Sequence, residues 1–128
     1  MTAQQFELAE DVFELLTLDG ELLPVVLFNG PVVTTTGLYR VRELDVEEAQ
    51  RLVRLYGWVS AVGHEAAAAV FSRVLGLEVP MNRVQYRQRV GQLAIALKLR
   101  ERPPEGQVLS VEEMLQIGFS LLLMERLE

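Results

Sequence analysis

The sequence predicts an α/β (α+β) fold, a mixed β-sheet flanked by helices in a single domain. Three observations predict it. Short apolar runs bounded by turn residues alternate with stretches of helical period that open on capping residues, the pattern of strands interleaved with helices. The chain has 128 residues, half of them hydrophobic, which fits one domain able to bury a genuine core. No internal repeat, low-complexity segment or flexible linker divides it.

Residues 1–23 read as an acidic N-terminal extension. Phe6, Ala9, Phe13 and Leu16 recur at helical spacing and the segment ends near Asp19-Gly20, so a helix that docks on the body is expected. A hairpin about Asp19-Gly20 is the alternative. The domain proper spans 24–128. Residues 25–28 (Val-Val-Leu-Phe) form a buried strand closed by the turn Asn29-Gly30-Pro31, and residues 37–42 alternate as a second strand. Asp45 followed by Glu48 opens a helix carrying Val46, Ala49, Leu52, Val53 and Tyr56 on one face. Residues 58–62 form the next strand, which delivers the chain to Gly63-His64-Glu65 and an alanine-rich helix that stops at Gly76. Residues 83–90 and 92–99 both alternate about Gly91 and predict a hairpin. In its second strand Leu93, Ile95, Leu97 and Leu99 point one way and Ala94, Ala96, Lys98 and Arg100 the other. Ser110 and Glu113 form a second capping box, Gly118 ends that helix, and residues 119–127 are a final apolar strand.

Composition narrows the chemistry. The chain has no cysteine and one histidine, so thiol catalysis, disulfides, iron–sulfur clusters and multi-histidine metal sites are excluded. Acidic pairs such as Glu47-Glu48 and Glu112-Glu113 read as first-turn helix residues rather than magnesium ligands, so metal-independent chemistry without a cofactor is favoured. No basic leader and no long apolar stretch is present, which predicts a cytoplasmic protein with no membrane segment. The net charge of −6 is uneven. Of eighteen acids, six lie in residues 1–23 beside no base, which leaves twelve acids against twelve bases in the remainder. Residues 82–102 carry Arg83, Arg87, Arg89, Lys98, Arg100 and Arg102 against Glu101 alone. A local basic face on a neutral body suits a small anionic ligand better than a stable DNA partner.

Three short stretches could carry chemistry. Val62-Gly63-His64-Glu65 places the single histidine at a helix start, where unpaired N–H groups favour phosphate and imidazole can transfer a proton near neutral pH. Asn82-Arg83 reads as the entry to a strand. Arg102-Pro103-Pro104-Glu105-Gly106 is a stiff loop holding an arginine and a glutamate. The plainer readings are a structural histidine, solvated arginines at strand ends and a polar turn before Ser110.

Taken with Asn29-Gly30-Pro31 and the stretches around Val79-Pro80-Met81 and Gln107-Val108-Leu109, these blocks resemble the small ring nucleases used as type III anti-CRISPR proteins, over about residues 24–128. The resemblance implies a metal-independent homodimer that cleaves cyclic tetra-adenylate bound at its subunit interface and so switches off type III CRISPR signalling. By motif position it implies that His64 is the general acid, Arg102 lies beside the scissile phosphate and Glu105 assists the histidine. It implies ligand contacts from Arg83, with Asn82, Gly63 and the turn of Asn29, Gly30 and Val32 around the ligand. Val32 stands where some members carry a hydroxyl residue, which leaves a backbone contact there. Pro103 stands where a leucine is common. The competing reading is a non-catalytic regulator that binds a nucleotide or nucleic acid through Arg83, Arg87, Arg89 and Arg102 and needs neither His64 nor Glu105. A third, an interaction module docking through residues 1–23, leaves the basic strands unexplained.

Overall fold

The computed structural model of the protein describes residues 23–101 and 109–128. The helix or hairpin expected over residues 1–23 lies outside the described residues apart from Leu23, and so does the loop holding Arg102 and Glu105. Five strands, β1 (Val25–Phe28), β2 (Tyr39–Leu44), β3 (Trp58–Ala61), β4 (Leu93–Leu99) and β5 (Phe119–Arg126), form one sheet in the order β2-β5-β4-β1-β3. β1 is parallel to β3 and β4, while β5 is antiparallel to β4 and β2. The sheet is therefore mixed, as expected, and β1, β2, β3 and β4 all end at one edge.

Three helices, α1 (Val46–Tyr56), α2 (Glu65–Leu75) and α3 (Val111–Ile117), lie against one face. Their starts follow from capping chemistry. Asp45 accepts a 2.8 Å hydrogen bond from Glu48 N, and Ser110 and Glu113 form the reciprocal box. α1 buries Ala49, Leu52, Val53 and Tyr56, and α2 buries Ala67, Ala68, Val70, Phe71 and Leu75. They meet Val25, Leu27, Leu93, Ile95, Leu97, Leu121 and Leu123 from the strands in one cluster. Alternate residues of the same strands, Val26, Phe28, Ala94, Ala96 and Met124, form a second cluster on the opposite face. The alternation predicted for β4 thus holds.

One prediction fails. The hairpin expected over 83–99 has its turn but lacks its first strand: residues 81–90 cross the helix-free face of the sheet as an irregular strap. Gly91, at φ +84°, lets Gln92 N bond Arg89 O at 3.0 Å in a tight turn, a backbone geometry that favours glycine. Beyond that turn the strap leaves the sheet plane. Tyr86 packs over the second cluster and Gln88 is buried, while Arg87 and Arg89 stay exposed. The alternation that suggested a strand is the alternation of a segment lying flat on the sheet. Asn82-Arg83 accordingly enters this strap and not a strand.

Side-chain amides replace the missing ladder. Gln92 accepts from Arg89 N and donates to Pro24 O and the Tyr86 hydroxyl, each at 2.9 Å. Gln88 donates to Gln92 O at 2.7 Å and to Met124 O at 2.8 Å. Arg126 donates to Gln88 O at 2.6 Å and to Thr36 O at 3.2 Å, joining the strap to the loop before β2. At its other end the strap covers the exposed side of β3. Ser60 Oγ donates to Pro80 O at 2.6 Å, and Asn82 N donates to Val62 O at 2.7 Å.

Candidate functional site

Parallel pairing sets the site. Because Phe28 and Ala61 are opposite one another in the β1–β3 register, the turns that follow them emerge side by side. Open α/β sheets bind ligands in the crevice outside such carboxyl ends. Here the two turns are clasped at Gly63. Its N–H donates to Asn29 Oδ1 at 2.9 Å, and its carbonyl accepts from Arg83 Nε at 2.8 Å. The clasp leaves little room: a Cβ on Gly63 would lie 3.3 Å from Arg83 Cγ and 3.7 Å from Asn29 Oδ1. Three sequence-predicted residues from three separate segments therefore meet at one peptide.

The clasp positions His64. His64 is the N-cap residue of α2, with extended backbone (φ −133°, ψ 127°), and its carbonyl accepts from Ala68 N at 3.0 Å. Its imidazole makes no capping hydrogen bond. The side chain is exposed at the mouth of a cavity of about 330 Å³. Asn29, Gly30, Pro31, His64 and Lys98 line the cavity, with Ala67, Leu97, Leu99, Leu109 and Met114 supplying an apolar floor. The first-turn N–H groups of α2 lack intrahelical acceptors, as at every helix start, and with the helix field they favour an anion beside the imidazole.

Asn82 is tied to β3, its Nδ2 donating to Ser60 O at 2.8 Å, and in this way fixes the start of the strap next to Gly63. Arg83 uses Nε for the clasp and is otherwise exposed, leaving the rest of its guanidinium fork for a phosphate. Val32 is 66% exposed on the loop beyond Gly30, and its N–H is taken by Gly30 O at 2.9 Å. Arg102 and Glu105 lie outside the described residues. Leu99 and Leu109, the pocket residues on either side of that stretch, both line the His64 cavity. Sequence reasoning missed Lys98 as a pocket residue. Its signal was present, since strand alternation turns it away from the helix-covered core at the end of β4, but nothing local showed that β4 ends beside His64. Among the described residues no cluster of three or more histidine or acidic side chains could hold a metal ion. No described helix is long and apolar enough to cross a membrane.

Residues 25–121 match the model of the STIV B116-like family, a span that runs from β1 into β5 and includes every residue of the clasp. The chain belongs to the STIV B116-like family. Relatives in the family come from viruses of archaea and from a bacterium. Over 93 residues the chain is 38% identical to the uncharacterized ORF117 protein of Acidianus two-tailed virus, covering 70% of this chain and 80% of that one. It is 40% identical over 85 residues to uncharacterized protein 26 of a Sulfolobus islandicus filamentous virus, covering 66% and 72%. The uncharacterized YddF protein of Bacillus subtilis is 27% identical over 108 residues, covering 83% of this chain and all of that one. In fold the chain is similar to B116 of Sulfolobus turreted icosahedral virus, with a TM-score of 0.61 at 22% identity over 80% of this chain and 99% of B116.

Proposed function

We propose that this B116-like protein is a metal-independent ring nuclease. It cleaves cyclic tetra-adenylate to linear di-adenylate ending in a 2′,3′-cyclic phosphate, and so silences type III CRISPR signalling. The observation that carries the reading is the Asn29–Gly63–Arg83 clasp, which presents the single histidine at a helix start beside a pocket that also holds Lys98.

An RNA-type linkage brings its own nucleophile. The ribose 2′-oxygen attacks the adjacent phosphorus in line, the P–O5′ bond breaks, the 2′-hydroxyl proton passes to solvent, and His64 protonates the departing 5′-oxygen. Such proton donation contributes about 10²–10⁴ in rate. Arg102 holds the non-bridging oxygens with its planar fork as charge builds on them, and electrostatic stabilisation of that kind is often the larger contribution. Glu105 offsets the positive field at the start of α2, which disfavours imidazolium, and keeps the acid form of His64 populated. Arg83, Asn29, Gly30 and Lys98 position the ring.

A homodimer with the ligand at its subunit interface completes the arrangement. A twofold axis through a ring of four identical nucleotides gives each subunit one linkage to cut, and two opposite cuts release two dinucleotides. The deciding experiment is incubation of radiolabelled cyclic tetra-adenylate with the purified protein in excess chelator. Linear di-adenylate with a 2′,3′-cyclic phosphate is the expected product. An intact ring that nonetheless binds would favour the non-catalytic regulator, and cleavage restored only by divalent metal would contradict the mechanism.

A further inference from the structure

The net charge of the protein is concentrated where the ring-nuclease reading gives it no work. Residues 1–22 hold Glu7, Glu10, Asp11, Glu14, Asp19 and Glu21 beside no base, and they precede the family match, which starts at residue 25. The strap on the helix-free face has complementary chemistry. It exposes Arg83, Arg87 and Arg89 together with Met81, Val84 and Val90, which are 48%, 49% and 39% exposed.

The point where the acidic segment joins the body faces that strap. Leu23 is buried, and Pro24 O accepts from Gln92 Nε2 at 2.9 Å while Gln92 Oε1 accepts from Arg89 N at 2.9 Å. One buried glutamine thus holds the segment's exit against the foot of the strap. The head of the strap is tied to Val62 through Asn82, and Arg83 stands there in the clasp beside His64. A path from exit to site therefore runs along the strap. Its eight residues from 82 to 89 span at most about 29 Å, within reach of 22 residues, which cover roughly 33 Å even when helical.

We propose that residues 1–22 dock along the arginine strap of their own chain, carboxylates on Arg83 and Arg87 and phenylalanines on Met81 and Val84, and compete with the anionic ligand for Arg83. The segment acts as an electrostatic gate that an incoming polyphosphate must displace. The identity of that polyphosphate, cyclic tetra-adenylate, rests on the ring-nuclease reading, whereas the docking does not.

The chain has no cysteine, so a single nitroxide on Glu10→Cys in the full-length protein reports the segment's position. At low salt the label broadens the amide resonances of residues 83–90 and spares those of β2. Half-molar sodium chloride, or inorganic tripolyphosphate at constant ionic strength, sharpens them again. In a mixture of isotope-labelled unmodified chain and spin-labelled unenriched chain the strap stays sharp, because the contact is within one chain. The full-length variant carrying Glu7→Gln, Asp11→Asn and Glu14→Gln binds cyclic tetra-adenylate about tenfold tighter at low ionic strength, and the difference vanishes at high salt. Strap resonances that stay sharp at low salt, broadening centred on β2, or affinity unchanged by neutralisation would each overturn the gate. If neither form binds cyclic tetra-adenylate, the ring-nuclease reading fails, and the nitroxide and tripolyphosphate titration still decides the docking.

Discussion

The two faces of the sheet are closed by different physics. On one, α1, α2 and α3 bury Phe71, Leu93, Ile95 and Leu123, and the seal is apolar contact between regular elements. On the other, a strap without regular structure lies over small residues, Ala94 and Ala96, and is held by Gln88, Gln92 and Arg126 through named hydrogen bonds. Closure by packing leaves a periodic trace in the sequence, whereas closure by amide side chains leaves isolated polar residues in a stretch that imitates a strand. His64 sits where the two closures meet, at the start of a packed helix and against the head of the strap. The site thus gains rigidity from one side and exposed arginines from the other.

Large-to-small substitution on the packed face should have the greatest effect. Phe71→Ala removes a fully buried ring from α2 and should cost about 3–5 kcal/mol of global stability, read as a lowered denaturant midpoint with an unchanged slope. A cost below 1 kcal/mol would mean that the helices are not what closes that face. Gln92→Leu keeps the volume but strands Pro24 O, Arg89 N and the Tyr86 hydroxyl, at a cost of about 2–3 kcal/mol. Its signature should be local: amide exchange in residues 81–90 should accelerate before that of β4. Uniform acceleration across the sheet would erase the distinction between the two closures.

The smallest effect is confined to alkaline solution. Burial in α1 pushes the Tyr56 phenol up to about 12 from 10, so the packed face favours its neutral form. That contribution is complete below pH 10 and is lost as pH rises through 12, because only the unfolded chain ionises freely in between. Stability of the wild type should therefore fall more steeply across this window than that of Tyr56→Phe. Equal slopes would show that Tyr56 reaches solvent.

Much of the fold was legible because its signals are local. Asp45 with Glu48 and Ser110 with Glu113 announce two helices, and alternation in residues 93–99 correctly sorts the two faces. The strap was not legible, since Tyr86 and Gln88 alternate with Arg87 and Arg89 just as strand residues would, and only the destination of their backbone groups tells the two apart. The same limit applies to the site. His64 was found from its helix start, but the Asn29–Gly63–Arg83 clasp joins residues 34 and 20 positions apart, and Lys98 reaches the pocket only through the strand order. The roles of Arg102 and Glu105 came from the family resemblance, and both residues lie outside the described structure.

The central claim is that the clasp presents His64 as the proton donor for a cleavage whose ligand is held by other residues. Single-turnover cleavage and equilibrium binding of cyclic tetra-adenylate by His64→Ala, measured side by side in chelator, test it most directly. The account predicts a rate lowered by about 10²–10⁴ with a dissociation constant close to that of the wild type. A variant that cuts the ring at the wild-type rate would contradict it, and would leave His64 as the N-cap residue of α2 and nothing more.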